Sequence, residues 1–254
     1  MKQILSGSLN ITIKFKTMQK KLLIIGAFLI TIISVYGQTL PKGYTEGPKL
    51  FDPVELSRNI LITYNLSHTF ETVGTIYLFE DFQKGDLFFR DMTKMSGIPL
   101  NYDCTSGDIL FKYEDKAYVT TRQDIDYFAI YPAGKDTVLL FYKQLLPNQK
   151  RPEYLEILYN EHSLLLKRHV KDYKEASVKT PYHANREYNE YVDKKEYYLK
   201  LPNNEVYLIK PSKKSIIDHF PEKAKMISQF MKSEKIKPKK DADLIRLIRF
   251  CESN

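Results

Sequence analysis

The sequence predicts an α+β protein: a mainly antiparallel β-sheet, built as a curved sheet, a sandwich or an open barrel, followed by a small C-terminal three-helix segment. Three observations predict it. Between Glu55 and Lys210, short runs of β-branched and aromatic residues recur, each broken by Gly, Asp, Asn or Pro. The connections between these runs are too short to hold the crossovers that parallel strands require. At Pro211 the apolar pattern changes to helical spacing.

Residues 1–37 read as a signal peptide with an upstream start extension, Met18 being the alternative start. Lys20 and Lys21 precede an uncharged apolar run, Leu22 to Tyr36, and Val35 and Gly37 supply small residues at −3 and −1 for cleavage before about Gln38. At about 1.5 Å per residue the run spans roughly 22 Å, short of the roughly 30 Å hydrocarbon core, so a cleaved signal is expected rather than a membrane anchor. No Cys stands at the cleavage point to take a lipid. The expected location is therefore secreted or periplasmic, with no stable membrane span in the mature chain.

Residues 38–54 hold Pro41, Pro48 and Pro53 without periodicity and read as an extended leader. The antiparallel β domain, residues 55–210, has predicted strands at Gly74–Phe79, Asp86–Arg90, Ile98–Tyr102, Ile109–Tyr113, Ala117–Thr121, Tyr127–Tyr131, Thr137–Tyr142, Tyr154–Tyr159 and Ser163–Lys167. Glu114-Asp115-Lys116 and Asn160-Glu161-His162 read as hairpin loops. Leu201 to Glu205 separates Tyr197-Tyr198-Leu199 from Val206-Tyr207-Leu208, and Asn203 and Asn204 tolerate the left-handed backbone such turns use.

Residues 211–254 form the basic helical segment. Ser212 is positioned to cap a first short helix, Pro221 to open a second and Asp241 to cap a third. Leu244, Leu247, Ile248 and Cys251 make one apolar face of the third. Helices this short need a surface to pack on, which the sheet or the other two helices can supply.

Charge places the basicity in this tail. Five lysines and no acid in residues 1–37 leave +3 of the formal +8, and from Leu208 onward 12 Lys or Arg face 6 Asp or Glu. Polyanion binding through the tail is one functional class this admits, a solvated helix surface the other. Export away from the chromosome argues against nucleic acid.

The inventory of reactive groups is thin. Cys104 and Cys251 exclude a cysteine-rich framework and a four-cysteine zinc site, and leave either one long-range disulfide or two buried thiols. His68, His162, His169, His183 and His219 form no metal-ligand pattern, and His162 and His169 flank one predicted strand. No metal and no cofactor is expected. Neither a G-x-S-x-G elbow nor a phosphate-cradling glycine loop occurs. Asp103, Cys104 and His68 are the members a hydrolytic site could use, whereas Asn101, Asp103, Ser106 and Gly107 also read as turn chemistry.

Gly74-Thr75-Ile76-Tyr77-Leu78 with Phe82 and Gly85, then Leu100-Asn101-Tyr102-Asp103, resemble an uncharacterised family of exported proteins common in Bacteroidota. Tyr197-Tyr198-Leu199-Lys200, Lys213-Lys214-Ser215-Ile216-Ile217 and Asp243-Leu244-Ile245-Arg246-Leu247-Ile248 extend the resemblance over roughly residues 74–250. It implies a bacterial envelope setting and carries no catalytic residues over.

The richest binding signal is a tyrosine cluster: Tyr182, Tyr188, Tyr191, Tyr197 and Tyr198, with Arg186 among them. Tyrosine offers a broad apolar face and a polar tip, suited to sugar rings or a partner surface. The expected function is an exported, non-enzymatic binding or envelope-accessory protein whose partner is a glycan or an envelope protein. The alternatives are a periplasmic hydrolase with an unconventional site and polyanion binding through the tail.

Overall fold

The computed structural model describes residues 40–47, 72–120, 122–176 and 188–253, all within the unit Gln38–Asn254. The predicted signal peptide, most of the leader, His68, Tyr182, His183 and Arg186 lie outside the described residues.

The described strands are β1 (Thr45–Glu46), β2 (Thr72–Val73), β3 (Gln83–Phe89), β4 (Thr93–Tyr102), β5 (Ile109–Tyr113) and β6 (Lys116–Val119). They continue with β7 (Ile125–Tyr131), β8 (Leu139–Gln144), β9 (Glu153–Asn160), β10 (Leu164–Lys174), β11 (Asn189–Lys200) and β12 (Val206–Ile209). All belong to one open sheet of order β12-β11-β10-β9-β8-β7-β3-β4-β5-β6. Every neighbouring pair in that order is antiparallel, while the two-residue strands β1 and β2 add parallel pairs to β4 and β11. The helices α1 (Lys213–His219), α2 (Ala224–Ser233) and α3 (Asp241–Ser253) follow. None of the helices among the described residues is long and apolar enough to cross a membrane.

The sheet is rolled. Strands β4 and β9 stand four places apart, about 19 Å in a flat sheet at roughly 4.8 Å per strand. Yet the Tyr102 hydroxyl on β4 donates to the Tyr154 carbonyl on β9 at 3.3 Å. The concave face so formed holds Leu87, Leu100, Phe111, Phe128 and Phe141, all fully buried. Two glycines permit the curvature. Gly97, at φ 74°, is the extra residue of a bulge in β4, and the Asp86 carboxylate accepts its N–H at 2.9 Å. At Gly85 a Cβ would stand 2.5 Å from the Ala129 carbonyl oxygen, so no other residue lets β3 approach β7 this closely.

Most predicted strands are present, with two differences. Gly74–Phe79 is not a regular strand: it makes a single bridge, Tyr77 to Asp103, because the Asn101 side chain takes the Phe79 N–H at 3.3 Å and donates to its carbonyl at 2.9 Å. A side chain there replaces a ladder neighbour. Strands β10 and β11 run well past the predicted apolar runs, because each supports the other over eleven residue pairs even where its own sequence is polar. His169 is consequently inside β10 rather than flanking a strand. The Glu114-Asp115 loop is a two-residue hairpin with both residues at positive φ, 46° and 62°.

In the tail, the Ser212 hydroxyl accepts the Ser215 N–H, as expected of a cap. Pro221 opens a 3-10 turn, Pro221–Lys223, before α2. Asp241 is not a cap. Its carboxylate leaves the helix and bonds the sheet, accepting from the Tyr197 hydroxyl at 2.7 Å and pairing with Lys167 at 2.9 Å. At the other end of α3, Glu252 accepts from the Tyr159 hydroxyl at 2.6 Å and the Ser163 N–H at 2.8 Å. Between these two anchors, Leu244, Leu247, Ile248 and Cys251 are fully buried against Leu165, Leu199 and Ile209 of the sheet.

Cys104 and Cys251 are free thiols, buried in different apolar cores. Burial pushes each up to about 12, so neither is a thiolate at neutral pH. Native protein is therefore expected to leave both unlabelled by a thiol-specific reagent over times in which urea-unfolded protein is labelled fully. Rapid labelling of one thiol in folded protein is the contrary result.

Candidate ligand-binding site

The register of the sheet places one row of directly opposed residues across six strands: Phe128, Phe141, Glu156, Lys167, Tyr197 and Ile209. Opposed residues point to the same face. The row runs from the aromatic core of the rolled sheet to the core beneath the helices, and its two charged members sit in the middle. Both are almost fully buried, Glu156 at 4% and Lys167 at 6% exposure.

The charges are satisfied by a linear network. Glu156 Oε2 accepts from Lys167 Nζ at 2.6 Å and from His169 Nε2 at 2.6 Å, Lys167 also pairs with Asp241, and Asp241 is held by Tyr197. Burial alone pushes the Glu156 carboxyl up, but the His169 N–H and the Lys167 ammonium outweigh it and hold it below the usual carboxylate range. Burial likewise disfavours the Lys167 ammonium, and Glu156 and Asp241 together raise it above its ordinary value. The helical tail and the sheet are thus joined through a buried charge network as well as through apolar contact.

Beside this network the concave face opens into a pocket of about 300 Å³, with Glu156, Lys167 and His169 on one side and Leu78, Phe79 and Leu139 on another. Strand β10 makes it. Its pairing with β9 ends where Lys167 meets Glu156, and beyond that point β10 continues with β11 alone. Five lysines (Lys135, Lys167, Lys171, Lys194 and Lys195) line the pocket against Glu156 and Asp193. Lys171 pairs with Asp193 at 2.5 Å and Lys194 lies 3.7 Å from Glu196. Lys135 and Lys195 are exposed at the rim and have no ion-pair partner among the described residues. Such a site can receive an anion: a positive rim, a fixed imidazole and apolar walls.

The predicted tyrosine platform is distributed rather than gathered. Tyr197 and Tyr198 are buried on opposite faces of β11, their hydroxyls bonded to Asp241 and Glu196. Tyr191 packs on Tyr173, ring centroids 5.0 Å apart, near the far end of β11, and Tyr188 is exposed just before that strand. Tyr182 and Arg186 lie outside the described residues. Of the hydrolytic candidates, Asp103 Oδ1 accepts the Thr105 and Ser106 N–H groups at 2.7 and 3.0 Å, so it serves the turn. No group of three or more metal-ligating side chains occurs among the described residues.

Residue types along the chain do not single out Glu156, Lys167, His169 and Asp241 as a site. The one available signal is the alternation Leu165, Lys167, His169, Lys171, a single face of β10, interrupting an apolar neighbourhood with charge. Compared with known proteins, the chain matches no family model, no curated protein and no solved structure.

Proposed function

We propose that the protein is an exported, non-enzymatic binding protein of the bacterial envelope that captures a small anionic ligand, such as an acidic sugar, in the pocket beside Glu156, Lys167 and His169. Membership of the exported Bacteroidota family is part of the same proposal. The single observation that carries the reading is the positive rim, Lys135 and Lys195, which has no ion-pair partner among the described residues, over a network whose own charges are already matched. An anion supplies the missing partners, and the walls of Leu78, Phe79 and Leu139 favour one that carries an apolar face.

Calorimetric titration tests it with galacturonate, glucuronate and inorganic phosphate, with glucose as the neutral comparison. Uronate binding is expected, weakened by salt and reduced about tenfold by joint Lys135→Glu and Lys195→Glu substitution, as for two exposed charge contacts worth about 1.4 kcal/mol together. Phosphate binding as tight as uronate would reduce the reading to a bare anion site. Absence of binding by every anion, or an unaffected variant, overturns it.

A second reading has a specific observation behind it. Glu156 orients His169, as a carboxylate orients a general base, and a water in the pocket could be activated there. Neither a hydroxyl nor a thiol side chain is among the described lining residues, so any hydrolysis would be by direct attack of water. Turnover of a uronate-containing glycan that disappears in His169→Gln while ligand binding persists is the result that would favour this enzyme over a binding protein.

A further inference from the structure

We infer that the convex face carries a second site, independent of the anion pocket, that takes a pyranose ring of a neutral glycan against Tyr127 and Tyr142. These two are directly opposed on β7 and β8, with ring centroids 5.0 Å apart and planes inclined by 31°. They border a groove of about 260 Å³ whose other wall is built from two turns, the one after Asn160 and the one from Leu201 to Asn204. That volume suits one sugar unit rather than a large ligand.

The chemistry of the lining selects the class. Tyr127 and Tyr142 are half-buried, so their rings offer apolar surface while their hydroxyls have no hydrogen-bond partner among the described residues. Asn160 and Asn204 lie exposed at the rim, and neither side-chain amide has a partner among the described residues. Lys200 Nζ stands 5.8 Å from the Tyr142 ring centroid and makes one long bond, 3.3 Å, to Gln144. His162 faces Glu252 at 3.9 Å. No carboxylate is among the described lining residues. A pyranose matches this inventory: its C–H face is apolar and packs on an aromatic ring, and its hydroxyls both donate and accept, as two amides and two phenols require. A phosphate or carboxylate would draw mainly on Lys200 and leave the rings idle.

A cross-strand tyrosine pair also stabilises a sheet, so the test must separate packing from binding. Affinity electrophoresis and calorimetry with maltohexaose, cellohexaose and mannohexaose do so. At least one hexasaccharide is expected to bind, with at least about tenfold loss in Tyr142→Ala and in Asn160→Ala, the latter melting like the parent because its side chain is exposed. Tyr142→Phe should retain most of the binding by keeping the ring. The inference is overturned if none of the three hexasaccharides binds, or if Asn160→Ala and Tyr142→Ala both bind as the parent does. Because the uronate titration reads the opposite face, loss of one result leaves the other standing.

Discussion

Leu247→Asp is expected to abolish the cooperative fold. Leu247 is fully buried at the centre of the face that α3 turns to the sheet, between the Asp241 and Glu252 anchors. Removing such a side chain alone costs about 2–5 kcal/mol, and a carboxylate in its place adds the penalty of an unpaired buried charge. The sum is comparable with the whole stability of an ordinary domain, about 5–15 kcal/mol. The helix cannot retreat into independent stability, since at 13 residues it is near the limit for helices in water. Thermal and urea melts of purified protein check this, with the joint substitution Lys239→Glu and Lys240→Glu as comparison. Those two lysines are exposed, and their variant should melt like the parent. A Leu247→Asp protein with a parental transition would mean the tail contributes nothing to the fold.

The second large effect is expected at Glu156. Glu156→Ala leaves Lys167 buried with only Asp241 to balance it and leaves His169 without its acceptor. Removing one partner of a buried pair costs about 3–5 kcal/mol, whereas replacing both by apolar residues of similar size is often neutral. Glu156→Leu combined with Lys167→Met is therefore expected to recover much of the loss, short of the contribution that Asp241 makes through Lys167. Equal melting of Glu156→Ala and the parent would show that solvent already reaches these charges.

The same network sets the acid limit of the fold. Burial raises the Asp241 carboxyl, but the Tyr197 hydroxyl and Lys167 more than offset it, and Glu156 is likewise held below the ordinary carboxylate range. A carboxyl depressed in the folded state contributes stability that is complete above its unfolded value, about pH 4, and is lost as pH falls through the folded value. Lys167, raised in the folded state, contributes below its unfolded value of about pH 10 and loses that contribution as pH rises through the folded one. Stability should accordingly fall on acidification below about pH 4 in the parent, and less steeply in the double variant that combines Glu156→Leu with Lys167→Met. Melting temperatures of the two proteins measured across that range check it, and identical acid dependence would place the limit elsewhere in the molecule.

The class of the fold is written in the residue order, because class depends on local period and connection length. Apolar runs joined by short turns pair antiparallel with their neighbours in sequence, and the helical spacing after Pro211 yields three short helices with Ser212 where a cap belongs. Turn residues such as Asn204, at φ 67°, are legible for the same local reason. Everything that depends on register and curvature is settled at the level of the folded chain instead. No local pattern states that Phe141, Glu156, Lys167 and Tyr197 occupy one row, since that follows from how four strands slide past one another. Asp241 looks like a cap because its neighbours in sequence are helical, and its partner Lys167 is 74 residues away. Tyr197 and Tyr198 look like parts of one platform because they are adjacent in sequence, but successive residues of a strand face opposite ways, and the two are buried in separate cores on the two faces of β11. The pocket exists because β10 outruns β9 and the sheet rolls, and both are consequences of long-range pairing that residue types along the chain do not encode separately.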